Sequence, residues 1–306
     1  MTDGDDTAAE GEGPVRRGPG GRPDAGSDPD ADRAGAPGDG AEDRSGVEPE
    51  ERAAAEEVER PSGPGAGEPP PEVVVALDVP GPAPARELIG RLPDGIHYKV
   101  GLELFTAAGP GFVRELTAAG HRVFLDLKLH DIPDTVAGAV RSVADLGVDL
   151  LTVHAAGGRA MVAAAADAAR RATAPPDEGG LGILGVTVLT SLDDDAWEEV
   201  TGVDAVVEEA VGRLAVLCQE AGAHGVVASV GECSAVKALC GSRFRVATPG
   251  IRPEGAEAHD QKRVATPAEA ADAGSDYLVV GRAVRQAADP ADALRRIRDE
   301  AAGRTG

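Results

Sequence analysis

The sequence predicts an α/β protein, a (β/α)8 TIM barrel preceded by a disordered acidic N-terminal extension. From residue 72 onward, eight short runs rich in Val, Leu and Ile alternate with longer segments rich in Ala, Leu, Glu and Arg. Most of the short runs are continuously apolar, which is typical of parallel strands covered on both faces. The 236 residues after residue 70 are also close to the ~250 residues usual for this barrel.

The predicted elements follow one another as eight βα units. The strands are 72–79, 97–101, 122–127, 150–154, 181–189, 225–229, 243–248 and 276–280. The helices are 85–91, 111–119, 135–146, 159–172, 205–221, 233–239, 267–273 and 289–298. Four helices are followed by a glycine suited to a left-handed C-terminal cap: Gly120, Gly147, Gly222 and Gly274. A doubly wound open sheet would show the same alternation and is the alternative architecture.

The first 70 residues are predicted to lie outside this domain. They hold 19 acidic residues, 7 arginines, 14 glycines and 10 prolines, but only four large apolar side chains. Such a segment cannot bury enough apolar surface to offset the entropy of ordering it. We therefore expect a disordered extension over 1–70 and one barrel domain over 71–306.

Composition and charge exclude several classes of protein. No run approaches the ~18 consecutive apolar residues of a membrane span, and the acidic N-terminus does not resemble a secretory signal. Three cysteines without a C-x-x-C pair favour reduced thiols in a cytoplasmic protein over disulfides or a zinc site. A net charge of −23 disfavours binding to nucleic acid. An anionic ligand would therefore need a local positive site.

The barrel predicts the position of that site, because catalytic residues in this fold lie at the carboxyl ends of the strands. Polar residues stand at those ends along the whole chain. They are Asp78, Lys99, Asp126, Lys128, His154, Thr190, Ser229, Arg252 and Arg282. The chain has only four lysines, and two of them fall at predicted strand ends.

The segment 126–135, DLKLHDIPDT, carries the densest charge. Asp126 and Lys128 are two residues apart, so on a regular strand both would project into the barrel mouth, and Asp131 follows. Neighbouring carboxylates favour a charged ammonium over the neutral amine that a Schiff base needs. Lys128 is thus suited to donating a proton or stabilising a carbanion. An ordinary ion-pair cluster at a strand end is the alternative.

The stretch Phe124–Val136 (FLDLKLHDIPDTV) resembles the signature of orotidine 5′-phosphate decarboxylases. Further blocks are similar to that family in the same order, and the resemblance extends from about residue 72 to 300. They are VALDV (75–79), YKVGLELF (98–105), VHAAGG (153–158), VTVLTS (186–191), ATPGIRPE (247–254), DQKRVAT (260–266) and DYLVVGRA (276–283).

The resemblance implies decarboxylation of orotidine 5′-phosphate to uridine 5′-phosphate (UMP), the last step of de novo pyrimidine synthesis, without metal or organic cofactor. It implies that Lys128 protonates C6 after CO₂ leaves, and that Asp126 lies against the substrate carboxylate and holds Lys128. Lys99 and Asp131 would complete an alternating Lys-Asp-Lys-Asp array.

The resemblance also implies the substrate contacts and a homodimer with shared active sites. Asp78 and Lys99 would bind ribose hydroxyls, and Thr190 the base. Asp131 and the nearby Thr135 would reach the ribose in the active site of the partner subunit, and Ile132 would also bind the substrate. The phosphate would be bound by Arg282 and the backbone of Gly281, with Arg252 and Gln261 closing over it.

Two features depart from the family pattern, and two other functions stay open. Gly281-Arg282-Ala283 replaces the family's Gly-Arg-Pro, which removes a conformational restraint but no hydrogen-bond donor, and the family fold does not need the extension. One alternative function is a metal-dependent sugar-phosphate decarboxylase or aldolase of the same superfamily. The other is a non-catalytic protein that only binds nucleotide.

Overall fold

Eight parallel strands close into a barrel in sequence order, with β8 paired to β1. The structure, a computed structural model, describes residues 69–204, 206–253 and 265–304. The strands are β1 Glu72–Ala76, β2 His97–Gly101, β3 Arg122–Leu129, β4 Leu150–His154, β5 Gly182–Val186, β6 Gly225–Val227, β7 Arg245–Thr248 and β8 Tyr277–Val280. The closure confirms the predicted barrel and excludes the open sheet.

Helices connect the strands on the outside of the barrel. They are α1 Pro82–Ile89, α2 Leu102–Ala118, α3 Pro133–Ala144, α4 Gly158–Ala172, α5 Asp194–Thr201, α6 Val207–Glu220, α7 Val230–Cys240, α8 Pro267–Asp272, α9 Arg282–Arg285 and α10 Pro290–Ala301. The four glycines predicted to end helices all have positive φ, between 71° and 87°, so these caps are confirmed.

The largest differences from the predicted helices are in α2 and in two helices that were not predicted, α5 and α9. Helix α2 begins directly after β2 and is broken at Gly109, whose φ of 67° and following Pro110 interrupt the helical backbone. The predicted helix 205–221 corresponds to α6, but α5 before it was not predicted. Its N-terminus is capped by the Asp193 side chain, which accepts a hydrogen bond from the Ala196 N–H.

The alternation of each strand divides the core into two layers. One side of the strands forms a small cluster inside the barrel: Val74, Ala76, Phe124, Leu150, Leu184, Ala247 and Val279. The other side packs against the helices in a larger cluster that includes Val73, Val75 and Leu125. Burying both faces explains why the strands read as continuous apolar runs.

Ion pairs lie at the amino-terminal end of the barrel. Arg122 joins Glu72 at 2.6 Å and Asp149 at 2.8 Å, and Asp276 joins Lys237 at 2.7 Å and Arg245 at 3.0 Å. These ion pairs lie opposite the carboxyl ends of the strands, which are the end of this fold where ligands bind.

The extension predicted for residues 1–70 lies outside the described residues, apart from its last two. Within the described ranges, no helix combines the length and apolar character needed to cross a membrane.

Candidate active site

A cavity of about 530 Å³ opens at the carboxyl ends of the strands. Eight of the residues singled out from the sequence line it: Asp78, Lys99, Asp126, Lys128, Thr190, Arg252, Gly281 and Arg282. They come from the ends of different strands that the closed barrel brings together. The cavity therefore lies where the sequence predicted a site, and charged residues line it.

Asp126 lies between the two lysines of the cavity. Both of its carboxylate oxygens accept hydrogen bonds from Lys128 Nζ, at 2.7 and 2.8 Å. Lys99 Nζ lies 3.6 Å from Asp126 Oδ2 and donates to Asp78 Oδ1 at 2.9 Å. Four charges thus alternate in sign across the cavity, in the order Asp78, Lys99, Asp126, Lys128.

The surroundings of Asp126 determine its ionisation. Burial of its side chain raises the pKa of Asp126, but the ammonium groups of Lys99 and Lys128 lower it more, aided by hydrogen bonds from Lys128 and Thr152. The net pKa lies below the ordinary value of 3.8, so Asp126 is a carboxylate at neutral pH. This fixed negative charge orients Lys128 and repels any anion placed beside it.

The backbone that carries Lys128 is not a regular strand. The pairing of β3 with β4 shifts between Leu125 and Leu129, and Lys128 has a φ of 50°. No other residue except glycine has a positive φ within the described ranges. The left-handed conformation is unfavourable for a lysine, so the surrounding structure must hold it.

The irregularity corrects the reasoning that predicted this pair. The alternation of a regular strand was expected to put Asp126 and Lys128 on one face. The structure does bring the two side chains together, but through a bulge and a left-handed residue. Bulges occur near active sites because they redirect a side chain.

Thr152 on β4 stabilises this bulge. Its hydroxyl donates to Asp126 Oδ1 at 2.9 Å and accepts from the backbone N–H of Lys128 at 2.8 Å. Thr152 is fully buried, so these two bonds form away from solvent. Sequence reasoning missed it, because a single threonine in the run LLTVH fits ordinary strand propensity.

His154 at the end of β4 packs against a second histidine rather than into the cavity lining. Its ring centroid lies 5.3 Å from that of His130. Burial, followed by the positive potential of His130 and Lys128, lowers the pKa of His154 below 6.5, and Asp126 opposes this only in part. His154 is therefore mainly neutral at pH 7.

Ser229, another residue at a strand end, caps α7 through a capping box with Glu232.

The remainder of the lining has an apolar and a basic part. Val186, Val188 and Val227 contribute apolar surface beside the charged residues. Arg252, Arg282 and Arg285 line the cavity from the segments that follow β7 and β8. Guanidinium groups in this position suit an anionic group such as phosphate. In the described parts of the chain, no group of three or more His, Cys, Asp or Glu is placed to hold a metal ion.

The sequence profile of the Orotidine 5′-phosphate decarboxylase / HUMPS family matches residues 71–297, which is most of the chain. The chain belongs to this family. The match covers every strand of the barrel and each residue of the alternating charges.

Individual members of the family are similar over the same region. The orotidine 5′-phosphate decarboxylase of Moorella thermoacetica is 52% identical over 230 residues, 75% of this chain and 91% of that protein. The one of Halorhodospira halophila is 52% identical over 234 residues, 76% of this chain and 97% of that protein. The crystal structure of the enzyme from Lactobacillus acidophilus superposes with a TM-score of 0.68 at 37% identity, covering 76% of this chain and 99% of that one.

Three residues assigned from the family blocks do not reach the cavity of their own chain. Asp131, Ile132 and Thr135 are exposed and are not part of its lining. Asp131 Oδ1 accepts a hydrogen bond from the Ile132 N–H at 2.6 Å, and Ile132 is 67% exposed. Gln261 lies outside the described residues.

Glu103 and Arg285 line the cavity but were not singled out from the sequence. Each lies within a helical segment just after a strand, α2 after β2 and α9 after β8. On sequence alone a charged residue inside a helix is indistinguishable from a solvated one. The rule that ligands bind at strand ends could have identified both, had it been extended one turn into the following helix.

Proposed function

We propose that this chain decarboxylates orotidine 5′-phosphate to UMP, the last step of de novo pyrimidine synthesis, in the cytoplasm and without a cofactor. The observation that carries the proposal is the Asp126 carboxylate fixed between the ammonium groups of Lys99 and Lys128 inside the cavity. Relatives about half identical over nearly their whole length are orotidine 5′-phosphate decarboxylases, which supports the same reaction here.

The proposed mechanism uses the alternating charges directly. The substrate carboxylate on C6 would lie beside Asp126, whose negative charge disfavours the bound carboxylate more than the carbanion-like transition state. The C6–carboxylate bond breaks, its electron pair stays on C6, and CO₂ leaves. Lys128 Nζ then transfers a proton to C6, giving UMP, and the neutral amine regains a proton from solvent.

Lys128 also contributes before the proton moves. Its ammonium is held by two hydrogen bonds to Asp126, so it needs no reorientation when negative charge develops on C6. Fixed charges of this kind stabilise a transition state more than solvent dipoles do, because the cost of arranging them is met during folding. Apolar neighbours such as Val186 and Val188 reduce the water that could screen this charge.

Phosphate binding would supply energy far from the reacting carbon. Arg252 and Arg282, the backbone of Gly281 and Gln261 are the proposed phosphate contacts. Asp78 and Lys99 would contact the ribose, and Thr190 the base. Binding at the remote phosphate can offset the unfavourable placement of the substrate carboxylate near Asp126.

We also propose a homodimer in which Asp131, Ile132 and Thr135 complete the active site of the partner subunit. The observation that supports it is their exposure on the rim of the barrel, outside their own cavity. Ile132 is 67% exposed, and in this proposal the partner subunit covers it. In this proposal the catalytic domain is 71–306, and residues 1–70 take no part in the chemistry.

The experiment follows loss of orotidine 5′-phosphate and formation of UMP by chromatography, with and without EDTA. We expect full turnover in EDTA. Lys128→Ala should reduce turnover by at least about a thousandfold, whereas its dissociation constant for UMP should stay within about tenfold of the wild-type value. Arg296→Ala, an exposed change on α10, is the control for handling and folding.

The outcomes separate the proposal from both alternatives. Activity lost in EDTA, or activity on a sugar phosphate in place of the nucleotide, would favour the metal-dependent enzyme. Nucleotide binding without turnover in the wild-type protein would indicate a binding protein. Unchanged turnover in Lys128→Ala would refute the role given to that lysine.

A further inference from the structure

A third arginine lines the part of the cavity that follows β7 and β8. Arg285 is the last residue of α9, and its side chain is partly buried. Its Nε is fully buried, and no hydrogen-bond partner for it exists among the described residues. Nor does Arg285 form an ion pair within those ranges. A ligand therefore reaches this atom only if the side chain shifts, whereas Arg285 as a residue already lines the cavity.

The position of this donor distinguishes it from other buried polar atoms. Four such atoms lack a hydrogen-bond partner within the described ranges: His97 Nε2, Tyr98 Oη, His121 Nδ1 and Arg285 Nε. Of these four residues, only Arg285 lines the cavity. Burying an N–H without an acceptor is unfavourable, and the free-energy cost is larger for a charged guanidinium than for a neutral group. An anion bound in the cavity would satisfy it once the side chain turns toward the ligand.

The short helix α9 places Arg285 beside a proposed phosphate contact. Arg282 and Arg285 are three residues apart, so their side chains leave the helix on the same side. Both line the same cavity, together with Arg252 from the segment after β7. The Arg252 backbone is itself fixed, because its N–H donates to the Ala265 carbonyl at 2.9 Å.

None of the acidic residues that line the cavity is paired with Arg285. The lysines are engaged with the aspartates, Lys99 with Asp78 and Asp126, and Lys128 with Asp126. The remaining acidic residue of the lining, Glu103, forms no ion pair with Arg285. A planar guanidinium matches the oxygens of a phosphate, and two such groups on one helix face can bind different oxygens of it.

We propose that Arg285 is a further phosphate-binding residue, which acts with Arg282 on the 5′-phosphate and sets the preference for a nucleotide over a nucleoside. This rests on the proposed function, because the phosphate is that of its substrate. The ion pairs of the alternating charges do not include Arg285, and the proposal gives it no part in the chemistry at C6. Its contribution therefore concerns binding of the phosphorylated ligand.

The test measures dissociation constants of UMP and of uridine for the full chain, the Arg285→Gln and Arg285→Lys variants, and a control. We expect Arg285→Gln to weaken UMP binding about tenfold and to leave uridine binding unchanged. Arg285→Lys should be intermediate, since it keeps the charge but loses the planar fork. Arg295→Gln removes a positive charge from α10, where Arg295 is exposed, and should change neither constant.

Two readouts keep the inference falsifiable. A thermal unfolding midpoint within a few degrees of the wild-type value shows that each variant is folded. If Arg285→Gln does not fold, the comparison is made with Arg285→Lys. The inference would be overturned if Arg285→Gln weakened the binding of UMP and of uridine equally, or changed neither. It would also be overturned if the wild-type protein bound UMP no more tightly than uridine. Wild-type turnover of orotidine 5′-phosphate tests the proposed function separately, because both binding constants are measured without catalysis.

Discussion

The hydroxyl of Thr152 donates a 2.9 Å hydrogen bond to the carboxylate of Asp126 across the β3–β4 pair. The same oxygen accepts the backbone N–H of Lys128 at 2.8 Å, at the residue whose φ is 50°. One buried side chain thus fixes both the carboxylate and the unusual backbone next to it. The position of the ammonium depends on a residue that carries no charge.

Thr152→Val should uncouple this arrangement without a large change of volume. The variant loses the donor to Asp126 and the acceptor for the Lys128 N–H, so we expect turnover to fall roughly tenfold or more. Stability should fall by about 1–3 kcal/mol, because a partly buried N–H loses its acceptor. Steady-state kinetics and urea unfolding measure the two effects. Thr152→Ser keeps the hydroxyl and is the matched control; equal losses in both variants would show that the hydroxyl is not the specific cause.

Lys128→Gly and Lys128→Ala should differ in stability although both lack the ammonium. A φ of 50° is readily adopted by glycine but is unfavourable for alanine. We expect the glycine variant to be more stable than the alanine variant by about 1 kcal/mol, with turnover lost in both. Urea unfolding at pH 7 measures the difference. An alanine variant as stable as the glycine variant would mean that the backbone relaxes once the lysine is removed.

Most of the fold could be predicted from the sequence because it depends on burial. Strands β2 and β4 have the predicted bounds, 97–101 and 150–154. Helix α5 could not be predicted from periodicity: it is short, none of its residues is fully buried, and a side-chain cap at Asp193 starts it. Its existence depends on local hydrogen bonds rather than on an apolar face.

The site was predictable where charge stands at a strand end, as for Lys99 and Arg282. It was not predictable where backbone geometry decides. Nothing at position 128 indicates a left-handed residue, because glycine and asparagine are the usual signals. Ser229 shows the opposite error, a polar strand-end residue that serves a helix cap in place of a ligand. The backbone of Lys128 depends on a contact with Thr152 on the next strand, whereas Ser229 is engaged by Glu232, three residues further on.

The pH dependence of stability should include a contribution from His154. Burial, with His130 and Lys128, lowers its folded-state pKa below the 6.5 of the unfolded chain. Between these two values the unfolded state binds more protons, so the free energy of unfolding falls as pH drops through 6.5 toward the folded value. We expect His154→Gln to lose less stability than wild type between about pH 7.5 and about pH 5.5. Urea unfolding at both pH values measures this.

His224 provides a comparison for that experiment. Burial, followed by Arg245, lowers its pKa as well, against opposing effects of Asp177 and Asp276. His224→Gln should therefore reduce the same pH dependence, but it lies at the other end of the barrel and should leave turnover unchanged. A full wild-type dependence in His154→Gln would show that other groups account for it.

Mixing inactive subunits tests the proposed shared site. In a dimer of that kind, Lys128→Ala and Asp131→Ala damage the same composite site from different chains. A heterodimer then has one site with both changes and one with neither. After random exchange of equal amounts, half of the dimers are mixed, so about a quarter of all sites should be intact. Turnover of the mixture, relative to wild type at equal subunit concentration, measures the recovery.

The controls determine what that recovery means. Each variant alone must stay nearly inactive, and subunit exchange must be verified, for example by native mass spectrometry of chains of different mass. Lys128→Ala mixed with Asp126→Ala should recover nothing, because both residues line the cavity of one chain and no site regains both. Recovery in this second mixture, or none in the first, would contradict a site completed by Asp131 of the partner. The exposed position of Asp131 and Ile132, outside their own cavity, makes the first mixture the informative one.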